Sequence, residues 1–423
     1  MENTKTVLIF SAATGYQSHR FFEAARKLGL VPVMVTDHCK VLDGPWGNDS
    51  IALRLEDPAG SAERVARMAP NAAAVVAAGD RPLSVAARVA ALLGLRFHTL
   101  DAVDACRNKY RAREILHATG LPVPAYFRVP AASDPHEIAS RAHFPCVLKP
   151  LGLSGSRGVI RANNSDEFIT AFLRIRSILG LPEILRMQDE ADHFIQVEDY
   201  IPGREFAIEG IVRRGSFHCF AVFDKPDPLE GPYFEETIYV TPSRAPVVEQ
   251  DQMCAAVARG AVALGLTDGP LHAELRWNER GAWLLEIAAR PIGGLCAQAL
   301  EFEGGQSLEE VLLRAALGED EAIPPLKAEA SGVLMIPIPK SGVFQGVSGV
   351  ESAVATQNIT AVHITAVEGQ ILWQLPEGSS YLGFIFARAA TPEQAELALR
   401  TAHQKLAFKI AQGLPLANLI GVQ

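Results

Sequence analysis

Apolar and polar positions alternate in blocks along the first hundred residues, and the blocks predict strands and helices in turn. The predicted strands are residues 6–10, 30–35 and 72–78, and the predicted helices are residues 18–28 and 82–93. This order is typical of a small parallel α/β unit. Its first turn, residues 11–15, lacks the Gly-x-Gly-x-x-Gly pattern, so we do not expect a dinucleotide site there. We interpret the unit as a scaffold that lends one wall to a substrate cleft.

The middle of the chain reads as a mixture of strands and helices around a glycine-rich loop. A boundary is predicted near residues 100–107, and residues 120–124 break the chain again. The predicted elements are a helix at 109–118, strands at 144–150 and 159–161, a helix at 165–179, and strands on either side of a Pro-Gly turn at 202–203.

The last hundred residues predict three strands and one helix. The strands are residues 332–338, 359–365 and 381–387. Thr391, followed by proline and by glutamine three positions on, is a typical helix start. Apolar residues at helical spacing extend this predicted helix to about residue 411.

Two carboxylates are predicted to face each other on a β-hairpin, residues 271–288. If the turn centres near Glu279, residues whose numbers sum to about 560 are opposed, so Glu274 lies opposite Glu286. His272, Arg276 and Ala288 share their face, and the core face carries Leu275, Trp277, Trp283, Leu285 and Ile287. Opposed carboxylates repel unless a cation lies between them, and Mg²⁺ or Mn²⁺ suits such hard oxygen ligands. The alternative is a solvated face on which Arg276 or Arg290 neutralises the acids.

The glycine-rich loop, residues 152–158, offers backbone N–H groups that can approach phosphate oxygens closely. It is not a Walker A loop, because no Gly-Lys-Ser/Thr closes it and a strand follows. Taken alone, the loop is more typical of a plain flexible hairpin than of a phosphate site. Lys149 ends the apolar strand before it and requires a negative partner, for which a nucleotide phosphate is one candidate. Residues 198–205 offer backbone groups for a purine and a carboxylate for a ribose, or form merely a charged hairpin.

Composition sets wider limits. The 423 residues suffice for two or three domains, and 48% hydrophobic with 21% charged residues describes a globular chain. A formal net charge of −9 disfavours nucleic acid and anionic membranes as general partners. The six cysteines include no Cys-x-x-Cys pair, which favours reduced thiols. With no apolar run of membrane-spanning length and no signal-peptide pattern, we expect a cytoplasmic protein.

In sequence order, these parts resemble the ATP-grasp superfamily over about residues 105–315. The resemblance rests on Asn108-Lys109, Val147-Leu-Lys149-Pro, the 152–158 loop, residues 198–205, and Glu274 with Glu286-x-x-x-Arg290. Within that superfamily, residues 271–275, 286–294 and 235–242 look most like the L-amino acid ligase and carnosine synthase branch. The resemblance implies an α/β, multi-domain ATP-grasp fold with three parts. These are a Rossmann-like N-terminal domain at 1–105, an ATP-grasp domain at 106–315 with a lid subdomain at about 120–195, and a mixed α/β domain at 316–423.

The same resemblance implies roles for individual residues. Lys109 and Lys149 would hold ATP phosphates, with the 152–158 loop closing over them through Ser154, Gly155 and Ser156. Glu198 and Ile201 would meet the adenine through backbone atoms, and Glu205 the ribose. Glu274 and Glu286 would bind two Mg²⁺ (or Mn²⁺) ions. Arg290 would stabilise the transferred phosphoryl group. Many relatives have an asparagine two positions after the second glutamate, where this chain has Ala288.

The implied reaction is ATP-dependent ligation of a carboxylate and an amine, with amino acids as the expected substrates. The carboxylate would attack the γ-phosphorus to give an acyl phosphate and ADP, and an amine would then displace phosphate. His272 would either contact substrate and deprotonate the amine or orient Glu274. Glu236, Arg244 and Lys225 belong to residues 224–244, a segment that the resemblance places over the acceptor site. The alternative is a solvated loop, which is favoured more for Lys225 than for Glu236. A homodimer is common in the family.

Two other functions remain open at the level of sequence. The first is an ATP-grasp ligase of different outcome, such as a carboxylase or a purine-type formyl ligase. The second is a nucleotide-binding regulatory protein without turnover.

Overall fold

The computed structural model describes residues 4–12, 17–37, 50–319 and 322–412, so most of the predicted turn at 11–15 lies outside the described residues. Its fold is the expected mixture of α/β parts, built on three main sheets that meet around one cavity. Within those ranges, no helix has both the length and the apolar composition that crossing a bilayer requires.

The N-terminal part is a parallel sheet with helices, as the alternating pattern predicts. Its elements are β1 (Thr6–Ser11), α1 (Ser18–Lys27), β2 (Val31–Thr36), β3 (Ser50–Ala52), α2 (Pro58–Met68), β4 (Ala72–Ala78), α3 (Leu83–Leu93), α4 (Leu100–Arg107) and α5 (Lys109–Ala118). The strand order is β3-β2-β1-β4, and every pairing is parallel. Residues 100–107, where the sequence suggests a boundary, form helix α4, which Thr99 caps by accepting a hydrogen bond from the Ala102 amide.

The second part is a four-stranded antiparallel sheet, which we call the lid sheet. Its elements are β5 (Tyr126–Pro130), α6 (Pro135–Ala139), β6 (Cys146–Pro150), β7 (Ile160–Ala162), α7 (Ser165–Leu179), α8 (Pro182–Leu185) and β8 (Phe194–Asp199). The order is β5-β8-β6-β7, and α7 packs on it through Phe168, Phe172 and Ile175. The glycine loop, residues 152–158, joins β6 to β7 and therefore projects from the end of this sheet.

The remaining elements build a large antiparallel sheet and its additions. They are β9 (Arg204–Arg213), β10 (Ser216–Asp224), β11 (Ile238–Thr241), α9 (Val247–Ala263), β12 (Gly269–Asn278), β13 (Gly281–Ala288), β14 (Glu301–Phe302), β15 (Gln306–Ser307), α10 (Leu308–Ala316), β16 (Ala330–Ile336), β17 (Gly342–Ser348), α11 (Val350–Val354), β18 (Ile359–Ile364), β19 (Ile371–Leu372), β20 (Gly383–Ala389), α12 (Pro392–His403) and β21 (Ala407–Ala411). The eight strands of the sheet run β13-β12-β9-β10-β11-β16-β20-β18. Strands on both sides of residue 315 thus belong to one hydrogen-bonded sheet.

The predicted C-terminal helix begins where expected but ends early. The Thr391 side chain accepts from the Gln394 amide, and Pro392 is the first helical residue. The prediction that the helix continues to residue 411 is wrong, because α12 ends at His403 and residues 407–411 form β21, which pairs with β17. Ile410, an apolar residue of the predicted helix face, is buried by strand pairing instead.

Candidate active site

One cavity of about 280 Å³ lies between the lid sheet, the large sheet and the carboxyl end of β4. Most site residues predicted from the sequence line it, namely Lys109, Lys149, Ser154, Gly155, Ser156, Glu198, Ile201, Glu205, Glu236, His272, Glu274, Glu286 and Arg290. Arg244, also predicted at the acceptor site, is not part of this lining and pairs with Asp224 and Glu396 instead. The cavity is also lined by residues that the sequence did not single out, among them Asp80, Ser379 and Tyr381.

The β12–β13 hairpin places Glu274 opposite Glu286 and His272 opposite Ala288, as the predicted register requires. Beyond this point the register changes, because Leu275 pairs with Leu284. The extra residue of this β-bulge is Leu285, which turns into the cavity beside Glu286. The prediction that Leu285 belongs to the core face is therefore wrong, and Leu284 fills the core instead.

Lysines and a histidine balance the two opposed carboxylates. The Lys109 Nζ lies 3.6 Å from the Glu286 carboxylate, and the Lys225 Nζ lies 3.6 Å from that of Glu274. Burial raises the pKa of Glu274, but Lys225 and a hydrogen bond from His272 outweigh it, so the net shift is downward. Arg276 and Arg290, the arginines of the alternative interpretation, form their ion pairs with Glu205 and Asp80.

For Lys225 the structure rules out the solvated-loop alternative. Its side chain is 2% exposed, and its ammonium group pairs with Glu205 at 2.9 Å, with Glu236 and with Glu274. Burial lowers the pKa of Lys225, but these three carboxylates raise it well above its usual range. The interpretation as a solvated loop residue is therefore wrong: Lys225 directly follows β10 inside the large sheet. Carboxylate oxygens of its three partners lie within 4.8 Å of one another.

A second buried ion cluster surrounds Glu198. Its carboxylate accepts hydrogen bonds from Arg113 Nε, Lys149 Nζ and Gln196 Nε2, each at 2.6 Å. Burial raises the pKa of Glu198, yet the Arg113 and Lys149 charges outweigh it and lower the pKa to about 2. The predicted negative partner of Lys149 is thus found within the protein, while the lysine still lines the cavity.

The nucleotide-binding groups predicted at Ile201, between β8 and β9, and at Glu205 on β9 already have partners in the protein. The Ile201 carbonyl accepts from Arg276 Nη1 at 2.7 Å, and Arg276 Nε donates to Glu205 at 3.0 Å. The Lys109 ammonium donates to the Leu153 carbonyl at 2.6 Å and thereby connects α5 to the glycine loop.

Arg290 is paired with a residue of the parallel sheet. Its Nε donates to Asp80 Oδ1 at 2.8 Å, and Asp80 follows the carboxyl end of β4. Burial raises the pKa of Asp80, but Arg290 outweighs it and holds the pKa below its usual value. Since carboxyl ends of parallel strands commonly form binding sites, the position of Asp80 was a signal available in the sequence.

His272 is buried between two acids. Its Nδ1 lies 3.1 Å from Glu209 Oε2, and its Nε2 lies 3.7 Å from Glu274 Oε1. Burial lowers the pKa of His272, but the hydrogen bonds and charges of Glu209 and Glu274 raise it to about 9. The Ile292 amide donates to both Glu209 oxygens, so the buried carboxylate, histidine and Glu274 form one connected chain.

The glycine loop turns through backbone conformations that favour glycine. Gly155, Ser156 and Gly158 have φ angles of 63°, 55° and 73°. A Cβ on Gly158 would lie 2.6 Å from Pro150 Cγ, so this position excludes a side chain. The turn leaves Ser154 and Ser156 on the cavity wall beside the lysines.

Comparison with known proteins matches two family models to this chain. The ATP-grasp domain model covers residues 142–299, and the model for L-amino acid ligase C-terminal domain 2 covers residues 334–411. The crystal structure of the L-amino acid ligase from Bacillus licheniformis superposes with a TM-score of 0.82 at 25% identity, covering 97% of this chain and 100% of that one.

Two curated relatives extend the comparison. An uncharacterized protein, y4rH, from Sinorhizobium fredii is 22% identical over 97% of this chain and 84% of its own length. Dapdiamide A synthase from Enterobacter agglomerans is 26% identical over 58% of this chain and 56% of its own length. The match to the latter therefore spans only about half of that enzyme.

Proposed function

Because the chain belongs to the ATP-grasp superfamily and carries an L-amino acid ligase C-terminal domain, we propose that it is an ATP-dependent carboxylate–amine ligase. In this proposal its substrates are amino acids. It joins them through an amide bond by way of an acyl phosphate and releases ADP and phosphate. We also propose that the chain divides into an N-terminal domain at 1–105, an ATP-grasp domain at 106–315 with a lid subdomain at about 120–195, and a C-terminal domain at 316–423.

The observation that carries the proposal is the set of groups that line this cavity. Cationic groups for phosphates, a glycine loop, two opposed carboxylates and an arginine all face the same space of about 280 Å³. Phosphoryl transfer requires little covalent chemistry from a protein, and depends mainly on positioning and on charge stabilisation. A cavity that combines these groups is suited to that task.

The proposed nucleotide site uses Lys109 and Lys149 for the phosphates, with Ser154, Gly155 and Ser156 in the loop above them. Lys109 already contacts the loop through the Leu153 carbonyl, so nucleotide phosphates there would meet both. The adenine is assigned to backbone atoms of Glu198 and Ile201, and the ribose to Glu205.

ATP-grasp ligases use ATP with Mg²⁺, and the donor set here fits such an ion. Glu274 and Glu286 face each other in register and both line the cavity, and carboxylate oxygens are preferred ligands of Mg²⁺ or Mn²⁺. Bound there, the metal would supply charge neutralisation at the phosphate oxygens. We assign Glu274 and Glu286 as its protein ligands.

In the first proposed step, a substrate carboxylate oxygen attacks the γ-phosphorus and the bond to ADP breaks. Lys109, Lys149 and the loop amides stabilise the negative charge that spreads over the transferred group. Arg290, which Asp80 holds at 2.8 Å, is directed at the same cavity and contributes a further fixed positive charge.

In the second step, an amine attacks the carbonyl carbon of the acyl phosphate and phosphate leaves. Glu236, held by the Lys225 ammonium, lines the part of the cavity assigned to the incoming amine. For His272 the geometry supports an orienting role, because the buried ring lies between Glu209 and Glu274. In the alternative, His272 deprotonates the amine.

An ADP-release assay with the common amino acids, singly and in pairs, tests this function. The proposal predicts ADP formation that requires a carboxylate substrate and an amide product that requires an amine. Turnover that requires bicarbonate or formate instead would indicate a carboxylase or formyl ligase, and nucleotide binding without turnover would indicate a regulatory protein.

A further inference from the structure

The glycine loop rests on a segment more than two hundred residues away, which we call the contact segment (residues 374–381, between β19 and β20). The Gly158 amide donates to the Pro376 carbonyl at 2.9 Å, and Arg157 Nε donates to the Glu377 carbonyl at 2.7 Å. A Cβ on Gly155 would lie 3.1 Å from the Cβ of Ser379, so the two backbones are in close contact.

A two-point ion pair fixes the same segment to the lid sheet. Arg174 on α7 donates from Nε to Glu377 Oε1 at 2.6 Å and from Nη2 to Glu377 Oε2 at 2.9 Å. Such a paired arrangement gives a planar guanidinium both direction and strength. Arg174 also donates to the Tyr233 hydroxyl, which belongs to the connection between β10 and β11.

The contact segment also forms part of the cavity wall. Ser379 and Tyr381 line the cavity together with Glu274 and Arg290. Glu377 therefore connects two parts of the protein. Its carboxylate binds Arg174 on α7, which packs on the lid sheet, and residues two and four positions after it line the cavity. A movement of the lid sheet would therefore reach this part of the cavity wall through only a few residues, and a movement of the wall would reach the lid sheet in the same way.

We propose that Glu377 is a positioning residue of the ligase, which keeps the glycine loop closed while both substrates occupy the cavity. The proposal rests on the proposed function. When the loop opens, the oxygen of a water molecule can bond to the carbonyl carbon of the acyl phosphate. The C–O bond to phosphate then breaks, and carboxylate and phosphate are released without an amide. Closure held by Glu377 prevents this loss.

The expected effect is moderate, and the chain provides a matched control for it. The Arg174 and Glu377 side chains are 39% and 31% exposed, so screening limits the pair to about a fivefold change in the closed-to-open ratio. The Arg314–Glu319 pair, on α10 and just beyond it, has an N–O distance of 2.9 Å and exposures of 38% and 34%. Neither of its residues lines the cavity.

The experiment compares Glu377→Gln, Glu377→Asp and Glu319→Gln with the parent protein. Each is assayed for ADP and amide formed from ATP and an amino acid pair that the parent accepts. Glu377→Gln should retain its kcat for ADP formation, raise the amount of ADP formed in excess of amide by about three- to fivefold and raise the KM for ATP. Glu377→Asp should restore part of the coupling, and Glu319→Gln should match the parent.

A second readout requires only nucleotide binding. Trypsin cleavage after Arg157, within the glycine loop, should be suppressed by ADP with Mg²⁺ in the parent and in Glu319→Gln. Under the same conditions Glu377→Gln, and also Arg174→Lys, should be cleaved several times faster. If Glu377→Gln equals Glu319→Gln in both coupling and cleavage, the positioning role is refuted. If the parent forms no amide from any pair, the ligase function fails, and cleavage alone then decides whether Glu377 holds the loop.

Discussion

Replacing Lys225 with methionine should destabilise the protein through the loss of one buried positive charge. The Lys225 ammonium is the common partner of Glu205, Glu236 and Glu274. After the substitution Glu205 still has Arg276 at 3.0 Å and Glu274 still has His272 at 3.7 Å, whereas Glu236 loses its ion-pair partner. Removing one side of a buried pair costs about 3–5 kcal/mol. We therefore expect a decrease of that size in the free energy of unfolding.

Urea denaturation in the presence of EDTA measures this decrease directly. Lys225→Arg, which retains the charge, is the control and should lose clearly less stability than Lys225→Met. Lys225→Met should also gain a metal site, because carboxylate oxygens of Glu205, Glu236 and Glu274 lie within 4.8 Å of one another. Without the ammonium group, Mn²⁺ or Ca²⁺ should bind among them and restore stability, by about 2.7 kcal/mol at a hundredfold excess over Kd. A variant as stable as the parent in EDTA, or equally responsive to these ions, would refute the role assigned to Lys225.

Three other predictions concern the cavity and the protein's response to acid. Glu274→Gln and Glu286→Gln should each leave the fold intact but reduce ADP formation by roughly 10³-fold, since several kcal/mol of metal-assisted stabilisation of the transition state are lost. Full activity of either variant at saturating Mg²⁺ would contradict the metal assignment. Arg290→Ala should reduce kcat by roughly 10²–10³-fold with little change in ATP affinity, and Arg290→Lys should recover only part, as steady-state kinetics will show. His98 accepts a hydrogen bond from a backbone amide at Nδ1 and contacts a carbonyl at Nε2, and burial lowers its pKa to about 4. Because the folded protein holds His98 neutral, its contribution to stability should be complete above pH 6.5 and should decline by roughly 3 kcal/mol as the pH falls towards 4. Urea titrations should find no such decline in His98→Gln.

Local sequence patterns were sufficient to predict most of the helices and strands and the β12–β13 hairpin. Glu274 and Glu286 could be paired from sequence because a hairpin's register follows from alternation and from its turn. The bulge at Leu285 could not be predicted, since leucines at 284 and 285 satisfy either face equally well. The end of α12 was missed for a related reason: Ile410 fits a helix face and a strand alike, and only pairing with β17 decides between them.

The features that could not be predicted depend on contacts between residues distant in the sequence. Lys225 meets carboxylates from three other positions of the fold, and nothing in its neighbouring residues indicates that they converge. Asp80 and Arg290 are 210 positions apart, and Arg157 and Glu377 are 220 apart. The positions of charged side chains in the cavity depend on such long-range contacts, so their partners become evident only in the folded chain.

The most direct test of the proposed reaction follows the oxygen atoms of the substrate carboxylate. An accepted amino acid labelled with ¹⁸O in its carboxylate is incubated with ATP, Mg²⁺ and the amine partner, and the released phosphate and nucleotide are analysed by mass spectrometry. If the reaction proceeds through an acyl phosphate, the nucleotide product is ADP and each phosphate released carries one ¹⁸O atom from the carboxylate. Label recovered in AMP, with pyrophosphate as the other product, would contradict the mechanism.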